Sequence, residues 1–259
     1  MSLRLLTWLQ HSHSCRCNLR SYCPKPPNLH RNPHSNIKMV QNIITIPSHL
    51  IPSQPWWPDL HSTIIKAFKR NDIQAFPPTW TRLNPDPILG ANGLAKELEP
   101  SGSLLVVLFV NGIPVACSGI LPSRGENWIN ETSDAHHNGR RRNVRDETAT
   151  ASPTLPAKLS SESTTRTDWE ICCFCVGPRY RKLGLSRVLL TAVIQVLEPL
   201  GAKRLVANYS IEETGDFWPR MGFSQTVGSG SVLKKGFTHT PGMEGLREDL
   251  HFRMSAMSL

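Results

Sequence analysis

Three cationic side chains, Arg179, Arg181 and Lys182, fall within four positions of the stretch VGPRYRKLGLSRVLL (176–190), and an apolar helical pattern begins directly after them. The first turn of a helix exposes backbone N–H groups that have no partner inside the helix, and aligned peptide dipoles add partial positive charge there. Such a turn suits an anion. Gly184 allows close backbone approach, Ser186 adds a hydroxyl donor, and Arg181, Lys182 and Arg187 bring charge, Arg181 with a fork able to grip a phosphate twice. The amides from Leu183 through Leu185 to Arg187 would form the cradle. The pattern G-x-x-x-x-G-K-[ST] of nucleoside triphosphate loops is absent, and a single glycine is not the G-x-G-x-x-G of dinucleotide folds.

The cradle needs rigid elements on both sides. Before it, DWEICCFCV (168–176) reads as a strand. After it, Leu185, Val188, Leu189, Val193, Val196, Leu197 and Leu200 follow a 3.6-residue period up to Gly201, a helix stop. AKRLVANYS (202–210) then reads as the next strand of a right-handed strand–helix–strand unit. Upstream, LLVVLFVNGIPVACSGIL (104–121) places two β-rich runs about Asn111-Gly112, the signature of a two-residue hairpin turn. QNIITI (41–46) is strand-like. Leu60, Ile64, Ile65 and Phe68 recur at helical spacing, and GLAKELEP (93–100) predicts a second short helix closed by Pro100.

RKLGLS (181–186) resembles the acetyl-coenzyme A motif R/Q-x-x-G-x-G/A of the GNAT superfamily of N-acetyltransferases, with serine as the last small residue and the preceding strand ending in the usual V-x-P. DFWPRMGF (216–223) resembles the later FY-x-x-x-GF segment, and DLHFRMS (249–255) a final strand. The stretches WWPDL and FPP are similar to uncharacterised fungal members. The resemblance spans most of residues 45–253. It implies an α/β GNAT fold, with a mixed, mostly antiparallel sheet splayed between its fourth and fifth strands and flanked by helices, and with acetyl-CoA as cosubstrate.

The same resemblance assigns roles. A bulge in the fourth strand would free backbone N–H groups of Phe174, Cys175 and Val176 towards the thioester, an oxyanion site. Glu170 stands where the histone-acetylating branch keeps its general base; its other reading is a strand-end solubilising charge. Phe217-Trp218 replaces the Phe-Tyr pair, and indole is no acid, so Tyr209 is the nearest candidate to protonate the leaving thiolate, or is packing. Trp218 would line the cofactor channel. The loop NDIQAFPPTWTRL (71–83) would shape the acceptor pocket, with Phe76 and Trp80 favouring an apolar part and Arg82 a carboxylate, unless the aromatics only fasten the loop. Direct transfer to a primary amine of a small molecule follows. A protein-lysine acceptor is the alternative suggested by Glu170, and a catalytically silent module that binds CoA or a partner is suggested by the missing tyrosine. Cys172, Cys173 and Cys175 read as small core residues, since a cysteine nucleophile needs a base.

Composition bounds the rest. The formal charge of +9 comes largely from residues 1–58, which hold six Lys/Arg and no acid; the other 23 basic and 20 acidic residues give +3. A nucleic-acid partner is therefore not expected of the folded body. The longest apolar run, Leu104 to Val110, is far shorter than the roughly 18 residues of a membrane span. The spacing of the seven cysteines is no disulfide framework and fits a reducing compartment. HSHSCRC (11–17) alternates metal-ligand types, but no second ligand pair follows, so no metal is expected. Residues 1–40 read as a disordered basic extension or a mitochondrial presequence, which leaves cytoplasmic and mitochondrial placement open. Residues 41–259 read as the acetyltransferase domain, interrupted by a disordered insertion over 123–167 whose GRRRNVR is a solvated loop or a nuclear-import patch.

Overall fold

Asn111 and Gly112 both take left-handed backbone angles, φ 51° and 80°, which two-residue type I′ turns require. They join β2 (Leu104–Val110) to β3 (Ile113–Pro122), the hairpin at the middle of the sheet. The structure, a computed structural model, describes residues 41–69, 74–125, 167–228, 230–238 and 243–259. The extension expected over 1–40 and positions 126–166 of the expected insertion lie outside them. The ends of that insertion are in place. Ser123 N donates to Asp168 O (3.0 Å) and Lys203 N to Thr167 O (2.7 Å), so ladder-like order extends past both expected boundaries.

β1 (Gln41–Pro47) pairs with β2, and β4 (Asp168–Val176) pairs with β3, all antiparallel. β5 (Arg204–Ser210) runs parallel to β4. β8 (Leu250–Ser258) closes on β5 antiparallel, and the short β6 (Gln225–Thr226) and β7 (Ser231–Leu233) both pair with β8. The one parallel pair among these needs a crossover, which α3 (Leu185–Leu197) supplies. This is the mixed, mostly antiparallel sheet that the sequence predicts.

The sheet separates two cores. On one face α3 lays Leu185, Leu189, Val193 and Leu197 against Val106, Leu108, Ile120 and Ile171. Leu189, Val193 and Leu197 have no exposed surface, and each such burial contributes about 1.5–3 kcal/mol. On the other face α1 (Trp57–Ala67) and α2 (Pro87–Glu97) cover Leu105, Val107, Cys117 and Leu121. Two details differ from the sequence pattern. Leu200 is half exposed rather than on the buried stripe, because the chain tightens into a 3-10 turn over Glu198–Leu200 before Gly201 (φ 75°) ends it. α2 starts six residues earlier than GLAKELEP suggests. The Asp86 carboxylate accepts from Ile88 N and Leu89 N (both 2.9 Å), capping a helix whose two glycines dilute the apolar period.

One of those glycines is a contact point. His61, buried in α1, has its Nε2 2.8 Å from Asn84 O, and a Cβ at Gly90 would stand 2.6 Å from that nitrogen. Gly90→Ala would gain up to about 1 kcal/mol of helix propensity. Overpacking outweighs it at about 1–3 kcal/mol, so a net loss of stability is expected in urea unfolding. Among the described residues no helix is long and apolar enough to cross a membrane, and no cluster of three or more His, Cys, Asp or Glu could hold a metal ion.

Candidate active site

The site is built around an irregularity in β4. Cys117 pairs with Cys175 and Gly119 with Cys172, so the single β3 residue between them, Ser118, is matched by two of β4, Cys173 and Phe174. The extra residue forms a bulge, with Cys173 held at φ 48°, a left-handed value uncommon for a side-chain-bearing residue. The side-chain alternation slips by one there. Cys172 and Cys173 both face the α1/α2 core, and Phe174 returns to the α3 side with Ile171. Gly119 is required opposite the bulge, since a Cβ on it would lie 2.6 Å from Cys172 Sγ and 3.0 Å from Leu98 Cδ2.

The parallel ladder between β4 and β5 stops at the same level, at Ile171↔Ala207. Beyond it β4 continues beside β3 and β5 beside β8, so the two strands part and the β4 edge facing the gap loses its ladder partners. A cleft of about 1380 Å³ opens there. Seven residues proposed from sequence meet on its wall, namely Glu170, Phe174, Tyr209, Trp218, Phe76, Trp80 and Arg82. Cys175, Val176 and the stretch Arg181–Arg187 are not on that wall; Cys175 points into the α1/α2 core with its Sγ 3.7 Å from Cys117 Sγ.

Glu170 differs most from expectation. It has no exposed surface, and its carboxylate is ion-paired with Arg124, whose Nη2 donates to Oε1 and whose Nε (3.2 Å) and backbone N (3.3 Å) donate to Oε2. Both oxygens are committed. A base waiting for an ammonium proton needs a free lone pair in reach, and Arg124 competes for it; with no exposed surface, Glu170 is not a solubilising charge. Burial works to lower the Arg124 pKa, but the Glu170 hydrogen bond and charge outweigh it and hold it above its usual value.

Arg82 is committed in the same way. Its Nη2 lies 2.7 Å from both oxygens of Glu97, and its guanidinium stands over the Phe68 ring at 5.8 Å. Burial lowers its pKa, yet the Glu97 charge leaves it raised overall. The expected grip of Arg82 on a substrate carboxylate is thus replaced by an internal one. Tyr209 is buried, with its hydroxyl 3.2 Å from Ser255 Oγ, and the Trp218 ring stacks edge-on against Phe174 at 5.3 Å and Phe223 at 5.0 Å. Among the thiols, burial foremost pushes Cys172 up, and hydrogen bonds to Cys173 and Cys175, then burial, hold Cys117 up. Protonated, buried thiols of this kind are poor nucleophiles.

The helix start has the shape the sequence predicts, except at Arg181. Gly184 is the N-cap at φ 78° and ψ 0°, no side chain caps the helix, and Lys182 is also left-handed at φ 65°. Left-handed residues in a turn aim successive N–H groups into one concavity suited to anions. Arg187 N is already used by Gly184 O (3.0 Å). Arg181, however, donates from Nη2 to Ala67 O (2.7 Å) and from Nε to Val176 O (3.4 Å). Its fork ties the C-terminal end of α1 to the end of β4 instead of reaching across the helix start.

Sequence reasoning missed Arg124 and Glu97. Arg124 stands in a stretch without periodicity, 46 residues from its partner, and nothing in its surroundings marks it. It also missed Phe237, Leu246 and Phe252, which complete the far wall of the cleft from the segment before and within β8.

Residues 158–244 match the family model described as Acetyltransferase (GNAT) domain. No curated protein matches the chain. Among solved structures it is similar to the ribosomal-protein-S18-alanine N-acetyltransferase from Escherichia coli, at 13% identity over 85% of this chain and 94% of that one, with TM-score 0.46. It is similar at 13% identity to the polyamine N-acetyltransferase of Drosophila melanogaster, over 84% and 100% of the two chains, TM-score 0.46. A third is a GNAT family acetyltransferase from Elizabethkingia anophelis with acetyl-CoA bound, at 13% identity over 85% and 98%, TM-score 0.41.

Proposed function

We propose that this chain transfers an acetyl group from acetyl-CoA to a primary amine directly, within a ternary complex. The observation that carries the reading is the coincidence, at one level of the sheet, of the β4 bulge and the end of the β4–β5 ladder, which leaves an unpaired strand edge open to a cleft. An extended pantetheine arm, with its two amides, suits that edge. The helix start at Lys182, Leu183, Gly184, Leu185 and Ser186 is the complementary site for the diphosphate, with Lys182 and Arg187 supplying charge.

In the reaction the amine nitrogen attacks the thioester carbonyl carbon, the N–C bond forms, and the C–S bond breaks with its electron pair leaving on sulfur. Of the N–H groups expected from sequence at Phe174, Cys175 and Val176, that of Phe174, the residue on the cleft wall, bears on the developing oxyanion. Tyr209, the phenol on the cleft wall, gives its proton to the thiolate, and the proton that the nitrogen sheds as the amide forms restores the phenol through Ser255. The protein-lysine alternative rested on Glu170 as a base, and the pairing with Arg124 favours the small-amine reading over it.

With no free carboxylate assigned to deprotonate it, the acceptor reacts from its own free-base fraction. The rate is therefore expected to rise about tenfold per pH unit below the acceptor's pKa and then level off, and the break should move with the acceptor when amines of different basicity are compared. Thiol release by the full chain with acetyl-CoA tests both statements. A break that stays at one pH for every amine would assign the proton to a protein group and overturn the free-base account. Acetyl-CoA binding without thiol release for any amine would favour the silent module.

A further inference from the structure

The outer half of the cleft is not a loose collection of loops. The α1–α2 connection and the segment between β7 and β8 are pinned to each other by backbone bonds, Arg247 N to Ala75 O (2.8 Å), and the second segment is closed on itself by Gly236 N to Leu246 O (2.7 Å) and Leu246 N to Phe237 O (2.9 Å). These segments share a small core of their own, in which Ala75, Phe76, Leu246 and Leu250 are buried. Trp80, Leu233, Phe237 and Phe252 pack on that core while only half-buried, and they line the cleft. The Phe76 and Trp80 ring centroids are 4.5 Å apart. Three aromatic rings with residual exposure, together with Leu233, on the wall of one cavity form a surface whose contact with water is relieved by an apolar occupant.

Among the described residues, the charges lining the cleft are four acids, Glu97, Glu99, Glu170 and Glu213, against Arg82, Lys96 and Arg124. Both arginines of the cleft are paired with carboxylates, Arg82 with Glu97 and Arg124 with Glu170. An incoming carboxylate would meet no guanidinium without an acid already on it, and it would add a fifth negative charge to a lining where Lys96 is the one further cation. Desolvating a carboxylate against such a pair is costly.

Resting on the acetyl-transfer reading of this cleft, we propose that the acceptor is a primary amine with an aromatic or bulky apolar body and no carboxylate, an arylalkylamine rather than an amino acid or a polycation. The body lies against Phe76, Trp80, Phe237 and Phe252, and the amino group points to the β4 bulge. Arg82 and Glu97 together determine specificity. The closed ion pair rejects an amino acid that carries the same side chain.

Matched acceptors isolate each part of the proposal. With the full chain and saturating acetyl-CoA, thiol release with 2-phenylethylamine is expected to exceed that with phenylalanine by about a hundredfold in kcat/KM, since an unpaired buried charge costs several kcal/mol. It should exceed that with ethylamine by about tenfold or more, the contribution of burying a phenyl ring. Glu97→Gln frees the Arg82 guanidinium, so phenylalanine should become a better acceptor by about tenfold, a gain that misfolding cannot produce. Equal or better rates with phenylalanine, spermidine or a lysine peptide in the parent protein would overturn the proposal while leaving acetyl transfer standing. If no amine releases thiol, binding decides. Calorimetric heat with 2-phenylethylamine that is absent with phenylalanine would support the aromatic pocket and sink the transfer reading, whereas no heat with either would overturn the pocket as well.

Discussion

Arg124→Ala should be the most damaging single substitution in the cleft, lowering the unfolding free energy by about 3–5 kcal/mol at neutral pH, the cost of leaving a buried charge without its partner. Glu170 has no exposed surface and takes all three of its hydrogen bonds from Arg124, one through the backbone. Truncation at Cβ removes the two side-chain bonds and leaves an anion inside the protein. Urea unfolding of both proteins checks this. A deficit below about 1 kcal/mol would mean that the pair is ordinary surface electrostatics.

The second large effect concerns the helix start. Gly184→Val is expected to weaken CoA binding by about ten- to a hundredfold, because a β-branched residue is strained at φ 78° by a kcal/mol or more and its side chain would occupy the space over the amides. Among the described residues nothing lies within 4 Å of where that Cβ would be. Arg181→Ala should behave differently. Its guanidinium is engaged with Ala67 O and Val176 O, so the expected result is a loss of about 1 kcal/mol in stability and a CoA affinity within about threefold of the parent. Affinity titrations of the two variants should therefore separate, although both residues belong to the same six-residue motif. A large affinity loss in Arg181→Ala with unchanged stability would return that side chain to the phosphate.

The parts of this architecture that were legible in the sequence are those fixed by local chemistry. Asn111-Gly112 permits few turns, the spacing of Leu189, Val193 and Leu197 permits one buried face, and Gly184 ahead of that face marks an uncapped helix start. The bulge was foreseen through the family resemblance, but its position was not readable. Cys-Cys-Phe-Cys alternates no polarity, so a one-residue slip at Cys173 leaves no trace in the pattern. Long-range pairings were invisible for a related reason. Arg124 and Glu170, Arg82 and Glu97, and Arg181 with Ala67 O join positions 46, 15 and 114 residues apart. Glu170, Arg82 and Arg181 were read from sequence as side chains facing a ligand or solvent, and each is paired with another part of the protein. Cys117 and Cys175 are a further case, distant in sequence yet directly opposed in the sheet.

The central claim places the CoA diphosphate on the amides of Leu183 to Ser186 and the pantetheine arm along the freed edge of β4. A crystal structure of the full chain with CoA tests it most directly. The account predicts phosphate oxygens within hydrogen-bonding distance of those amides and the thiol in the cleft beside Phe174. A diphosphate seated on another surface, with the β4–β5 gap empty, would contradict it.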